Sequence, residues 1–151
     1  MLAEHGEPLY LLNLTKSKES NHRERWISDE FREAVLHINN TLPGRHRLHY
    51  RHYDIKKHKA NLETFIPTVN GMADEYVEGT GIFLCSSRLR NSELCTLRTQ
   101  SGIIRTNCID SLDRTNFMQQ LIGVNVLGKQ LYAVGLRDTP KLHVGTNPSL
   151  C

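Results

Sequence analysis

Cys108, Asp110, Asp113 and Arg114 stand close together in the stretch RTNCIDSLDRTN, Arg105 to Asn116. Five residues separate the thiol from the guanidinium, a C-x5-R spacing. A short strand ending at this point and a helix beginning just after it would let successive backbone N–H groups point into the turn. Such a nest, backed by a helix N-terminus, binds an anion. The same field favours a thiolate, bringing a thiol pKa from about 8.5 to roughly 3.5–7.5. Arg114 can hold phosphate oxygens through two parallel hydrogen bonds. These parts suit thiolate attack on a phosphate monoester, through a phosphocysteine intermediate. The leaving alkoxide needs a proton, which Asp110 or Asp113 can supply. Repulsion between two carboxylates and an incoming phosphate is expected to raise at least one of their pKa values. Thr115 is placed to donate a hydrogen bond near the thiolate. On spacing alone, a plainer reading is equally admissible: Cys108 an inert buried thiol at a strand end, Arg114 a surface ion-pair donor, and DSLD a helix-capping turn.

The flanking sequence has to supply that strand and helix. SGIIRTN reads as a short strand directly before Cys108. From Thr115 onward, Phe117, Met118, Leu121, Ile122, Val124, Leu127 and Leu131 recur at helical spacing. Gly123 and Gly128 in this helix are expected to mark close packing, and Gly135 its end. Upstream, PLYLLNL (Pro8 to Leu14) is an apolar run suited to a buried strand. TKSKESNHRER reads as an exposed loop, with Trp26 a packing residue at the entry of the next helix. That helix is expected to be capped by Ser28 and to turn Phe31, Ala34, Val35, Ile38 and Leu42 inward, with Pro43 and Gly44 stopping it. Arg45 to Ile55 alternates imperfectly, as a half-exposed strand. A second helical pattern runs from Leu62 to Val77; Pro67 either kinks it or marks its start, and Gly79 and Gly81 end it. GIFLC (Gly81 to Cys85) reads as a strand, and the polar stretch Ser86 to Gln100 as irregular. Strands alternating with helices predict an α/β fold, a mixed sheet flanked by helices around a strand–loop–helix catalytic unit.

The chain has 151 residues, one domain's worth, with 19 basic and 16 acidic residues and a formal net charge of +3. That balance alone implies neither nucleic acid nor membrane. The four cysteines (Cys85, Cys95, Cys108 and Cys151) show no CxxC or zinc-finger spacing. Reduced thiols in the cytosol are expected, with Cys85 and Cys95 structural. No secretory leader is legible in MLAEHGEPLYLLNL, and no apolar stretch is long enough to span a bilayer.

The full string carries more than the spacing. RTNCIDSLDRTN resembles the signature loop of Sac-domain phosphoinositide phosphatases at Arg105, Thr106, Asn107, Cys108, Asp110, Leu112, Asp113, Arg114, Thr115 and Asn116. The family often has a second cysteine where this chain has Ser111, a change that leaves the nucleophile untouched. PLYLLNLTK and FREAVLHINNTLPGRHRLHYRHYDIKKH are similar to the family's segments further upstream. VEGTGIFLCS looks most like the branch that hydrolyses phosphatidylinositol 3,5-bisphosphate at the 5-position. The resemblance implies Cys108 as nucleophile, Arg114 as phosphate binder and Asp110 or Asp113 as acid. Arg105, Asn107, Ser111, Leu112, Thr115 and Asn116 become candidate substrate-binding residues, with loop bracing expected as the main task of Arg105 and Asn107. No cofactor is required for the chemical step; magnesium is admissible but not indicated. The family's amino-terminal subdomain would lie upstream of Met1, and the resemblance stops after LYAVGLRDTPKL. The chain is therefore expected to be the C-terminal part of a Sac catalytic domain. The resemblance also implies a peripheral location on endosomal or vacuolar membranes and a phosphoinositide lipid as partner, with no nucleic acid.

Arg45 to Lys59 holds six Lys/Arg, four His and one acid, Asp54. Most of it is expected to be a solvated face. Lys56, Lys57 and Lys59 are the candidates for contact with an anionic headgroup or membrane. The four histidines lack metal-ligand spacing, so no metal site is expected. Two other functions stay open: a non-catalytic scaffold assembled with a lipid kinase complex, and a protein tyrosine or dual-specificity phosphatase. The second generally carries His before its cysteine and glycine in its loop, where this chain has Asn107 and two aspartates.

Overall fold

Leu9–Asn13 forms β1, whose apolar run is covered on both faces, as expected of a central parallel strand. A computed structural model of the chain describes residues 6–17, 22–58, 61–87, 94–110 and 112–142. After β1 come α1 (Arg23–Thr41), a 3-10 turn (Gly44–His46), β2 (His49–His52), the short α2 (Ile55–His58) and α3 (Leu62–Thr80). Then follow β3 (Leu84–Ser87), β4 (Leu94–Arg98), β5 (Ile103–Asn107) and α4 (Asp113–Ala133). The α/β class holds. β2, β1 and β5 form a parallel sheet in that order, and β3 pairs with β4 as a separate antiparallel ribbon.

The two-residue period of the strands decides which helix each side chain meets. Leu9 and Leu11 of β1, with Ile103 of β5, pack against Val35 and Phe31 of α1. Leu12 and Leu14, with Ile104, join Phe65, Val69, Met72 and Tyr76 of α3 and Met118 and Leu121 of α4. Phe65 stacks on Phe117, ring centroids 5.9 Å apart, so α3 and α4 share one face of the sheet. α3 comes close enough to β1 that a Cβ at Gly79 would collide with the Tyr10 ring.

Several expectations are corrected. α1 begins at Arg23, and Ser28 is a buried residue inside it rather than its cap. Charged residues of NHRER look solvated in sequence, yet Glu24 is buried within the helix. Trp26 is 64% exposed and packs no helix entry. Of the predicted inward face, Val35 is buried and Phe31 partly so, whereas Ala34 and Ile38 are exposed. α3 starts at Leu62 and carries Pro67 inside it. Gly79 lies within α3, and Gly81, at φ 73°, ends it. Strand β2 is shorter than the predicted strand, and the 81–85 strand lies at Leu84–Ser87. The stretch read as irregular contains β4, whose register with β3 shifts at Leu84/Cys85. A Cβ at Gly128 would meet the Pro140 carbonyl, but at Gly123 it would meet open space. Gly135 follows the end of α4, as expected.

Candidate functional site

β1 and β5 run in register, Asn13 opposite Asn107, so both strands deliver their carboxyl ends to one edge of the sheet. In open parallel sheets that edge is where ligands bind. Leu14 to Ser17 leave β1 there, Cys108 leaves β5, and α4 starts a few residues on.

Buried polar groups tie this edge together. Asn13 is fully buried and continues the β1 face that looks at α1. Its amide donates to Ser28 Oγ (2.9 Å) and to the Tyr50 hydroxyl (3.1 Å), and its Oδ1 accepts from Asn107 Nδ2 (3.0 Å). Asn107 thus braces the strand end. Its own Oδ1 has no hydrogen-bond partner among the described residues. His52 Nε2 lies 2.8 Å from the Thr15 carbonyl oxygen, and Asp54 accepts from the Ser17 N–H and hydroxyl, both at 2.7 Å.

Cys108 is buried, and its sulfur joins the core cluster between α3 and α4. The thiol donates to Asp110 Oδ1 at 2.9 Å. The Thr115 hydroxyl, itself buried, donates to the sulfur at 3.2 Å. Asp110 also accepts from the Leu112 N–H at 3.4 Å. The Cys108 bond, then the Leu112 N–H, hold the exposed Asp110 carboxyl below its usual range. At Asp110 the shift therefore runs downward, because the thiol donates to its carboxylate. Asp113 opens α4 and is exposed.

Arg114 is nearly buried, its side chain 10% exposed. Its Nη1 donates to the Leu14 carbonyl at 3.0 Å and pairs closely with Glu24 of α1. Its Nη2 lies 4.0 Å from Asp110 Oδ1, the oxygen that receives the thiol. Burial opposes the charge on Arg114, but the Glu24 hydrogen bond and the nearby negative groups outweigh it and raise its pKa. Arg114 is therefore a buried, paired cation rather than a surface ion-pair donor.

A cavity of about 280 Å³ opens beside the thiol, lined by Asn13, Thr15, Ile27, Ser28, Phe31, Arg105, Asn107, Cys108 and Ile109. Arg105 reaches it with its guanidinium 5.9 Å from the Phe31 ring centroid, a stacking contact in place of the expected brace. Arg114 does not line this cavity; it approaches Cys108 from the Asp110 side. Leu112 and Asn116 are exposed. Lys56 and Lys57 are exposed on α2, and neither lines the cavity. Ser111 and Lys59 lie outside the described residues. Sequence reasoning missed Glu24, Asn13 and Ser28, which reach the site only through packing of α1 and β1 against β5 and α4. Among the described residues no group of three or more His, Cys, Asp or Glu is arranged to hold a metal. No helix among them is long and apolar enough to cross a membrane.

No protein-family model matches the chain. Among curated proteins it is similar to a polyphosphoinositide phosphatase of Schizosaccharomyces pombe, 35% identical over 94% of this chain and 16% of that protein. Similarity to the phosphoinositide phosphatase SAC4 of Arabidopsis thaliana is 30% over 95% of this chain and 23% of the relative. The phosphatidylinositol-3-phosphatase SAC1 of Arabidopsis thaliana is 27% identical over 91% of this chain and 22% of its own length. The resemblance to Sac-domain phosphoinositide phosphatases therefore runs along nearly the whole chain. The chain spans only 16% to 23% of the length of these relatives.

Proposed function

We propose that this chain is the C-terminal part of a Sac-type catalytic domain and hydrolyses a phosphate monoester of an inositol lipid headgroup. The observation that carries this reading is the setting of Cys108: a buried thiol at the carboxyl end of β5, with Thr115 donating to its sulfur and the Arg114 cation next to the carboxylate that holds it. The length of the resemblance to phosphoinositide phosphatases supports the lipid substrate.

In this mechanism Cys108 attacks phosphorus. The S–P bond forms as the ester P–O bond breaks. The thiol proton passes to Asp110, its present hydrogen-bond acceptor, and the departing alkoxide takes a proton from Asp110 or Asp113. Arg114 balances the charge on the phosphoryl oxygens. Water then attacks the phosphocysteine, the S–P bond breaks, and Thr115 stabilises the returning thiolate. Nucleophile and charge stabiliser are both side chains, so the step needs no metal. Arg105 and Asn107 line the headgroup cavity; Ser111, Leu112 and Asn116 complete the loop around the phosphate. Lys56, Lys57 and Lys59 meet the anionic membrane surface. The substrate is phosphatidylinositol 3,5-bisphosphate, met peripherally on endosomal or vacuolar membranes. One of the relatives is a 3-phosphatase, which makes the position attacked the first thing to test.

Phosphate release from a panel of phosphoinositides in vesicles, by the full-length protein and its Cys108→Ser variant, provides the test. Turnover of phosphatidylinositol 3,5-bisphosphate that persists in EDTA and disappears in Cys108→Ser is expected. Phosphate release from phosphotyrosine peptides alone would move the reading to a protein phosphatase. A folded protein that turns over no phosphoinositide would leave a scaffold.

A further inference from the structure

Glu24 is the least expected member of the site. It stands near the start of α1, far from Cys108 in sequence, yet its side chain is only 2% exposed. An ionised carboxylate buried this deeply is costly unless it is paired and hydrogen-bonded. Here it is both. It pairs with Arg114 Nη1, accepts from the Lys16 N–H at 2.9 Å, and has Lys16 Nζ at 3.8 Å. The same Nη1 donates to the Leu14 carbonyl. Two acceptors, one from α1 and one from the end of β1, thus converge on a single nitrogen of the guanidinium.

That division of the guanidinium has a consequence. A planar fork held at Nη1 cannot rotate freely, and its Nη2 is turned toward Asp110 and so toward the thiol of Cys108. A guanidinium edge that includes this Nη2, beside the carboxylate that accepts from the thiol, can grip phosphate through two parallel hydrogen bonds. We propose that Glu24 is the positioning residue of the site: by clamping Nη1 of Arg114 it aims the remaining edge at a phosphoryl group bound on Cys108. The proposal rests on the phosphatase reading of Cys108 and Arg114. Glu24 itself touches no substrate, and its effect on the phosphate passes through Arg114.

The test uses inorganic phosphate as well as turnover. Alkylation of Cys108 by iodoacetamide is measured against phosphate concentration in the full-length protein, alongside kcat/KM on phosphoinositide vesicles. Wild type should be protected by phosphate. Glu24→Gln, which keeps the side-chain size but loses the charge, should need about 10- to 100-fold more phosphate and lose kcat/KM by a similar factor, the scale of one charged hydrogen bond. Glu24→Asp, charged but one methylene shorter, should fall between the two. In an Arg114→Lys background, Glu24→Gln should change neither readout further, because the group it aims is gone. Thermal unfolding of each variant identifies loss of fold; Glu24→Asp carries the comparison if Glu24→Gln does not fold. Wild-type phosphate protection in a folded Glu24→Gln protein, or full additivity with Arg114→Lys, would overturn the proposal. Absence of both turnover and protection in wild type would overturn the phosphatase reading, and this inference with it.

Discussion

Two stretches of this chain are dense in charge, and the fold treats them in opposite ways. Between Arg105 and Asn116 one charge, Arg114, is drawn in beside buried neutral groups, while Arg105, Asp110 and Asp113 stay exposed. Cys108, Thr115 and Arg114 are buried or nearly so, and each has a short polar contact to another element or to the loop. Between Arg45 and Lys59 the charges disperse. Lys56 and Lys57 point outward from α2, and the group drawn inside is the lone acid, Asp54. Asp54 ties the Ser17 turn to the N-terminus of α2 through the Ser17 and Lys57 N–H groups. Charge density therefore does not mark a site here. What sets the loop apart is a buried cation beside a buried thiol, Arg114 paired with Glu24 and Cys108 held by Asp110 and Thr115, whereas the buried Asp54 only ties a turn.

Variants in the two stretches should differ accordingly. Cys108→Ser, which removes the thiol proposed as nucleophile, should reduce phosphate release on the order of 10⁴-fold or more. Arg114→Lys comes next. A lysine cannot contact Glu24, the Leu14 carbonyl and a phosphate with one planar fork, so turnover should drop about 10³-fold while Cys108 remains alkylatable. Near-normal turnover in Arg114→Lys would remove the contrast between the two stretches.

Asp54→Asn should act on stability rather than chemistry. Burial pushes the Asp54 carboxyl up, but hydrogen bonds from the Ser17 N–H and hydroxyl and the Lys57 N–H, with the charge of His52, more than offset this and lower its pKa from the ordinary 3.8. A carboxyl lowered in the folded chain contributes stability above its unfolded pKa and loses it as pH falls through the folded value. Asp54→Asn should therefore cost about 2 kcal/mol near neutral pH, with the gap to wild type closing as pH falls below 3.8 and through the lowered folded value. Urea unfolding at both pH values reads this directly; an equal gap at both would show that the charge of Asp54 is not what holds the turn.

The smallest effect belongs to the exposed lysines. Lys56→Ala and Lys57→Ala should each weaken binding to anionic vesicles by about fivefold, near 1 kcal/mol per charge, and leave the rate on soluble headgroup analogues unchanged. A loss on the soluble analogues would place these lysines at the phosphate and erase the distinction drawn between the stretches.

Much of the fold was legible where signals are local. The apolar run at Leu9 to Leu12 is β1, SGIIRTN contains β5, and the periodicity after Thr115 lies in α4. β4 was hidden because it is short, lies in a mostly polar stretch and, among the described residues, pairs with β3 alone in a two-stranded ribbon, where alternation of apolar and polar residues is not required. The start of α1 was hidden because NHRER looks solvated until Arg114 arrives to neutralise Glu24.

Residue order alone sets out the candidate groups along the chain: a strand, a thiol, two carboxylates, a guanidinium and a helix, all within one short stretch. Those relations are local, and short-range sterics and hydrogen bonding are enough to write them into residue order. What surrounds them comes from packing between distant segments. Asn13, Ser28 and Glu24 reach the site from remote parts of the chain because parallel pairing of β1 with β5 brings two strand ends together and α1 packs over them. A buried charge must find its counter-charge through the fold, and no spacing within the loop can specify a partner that lies outside it.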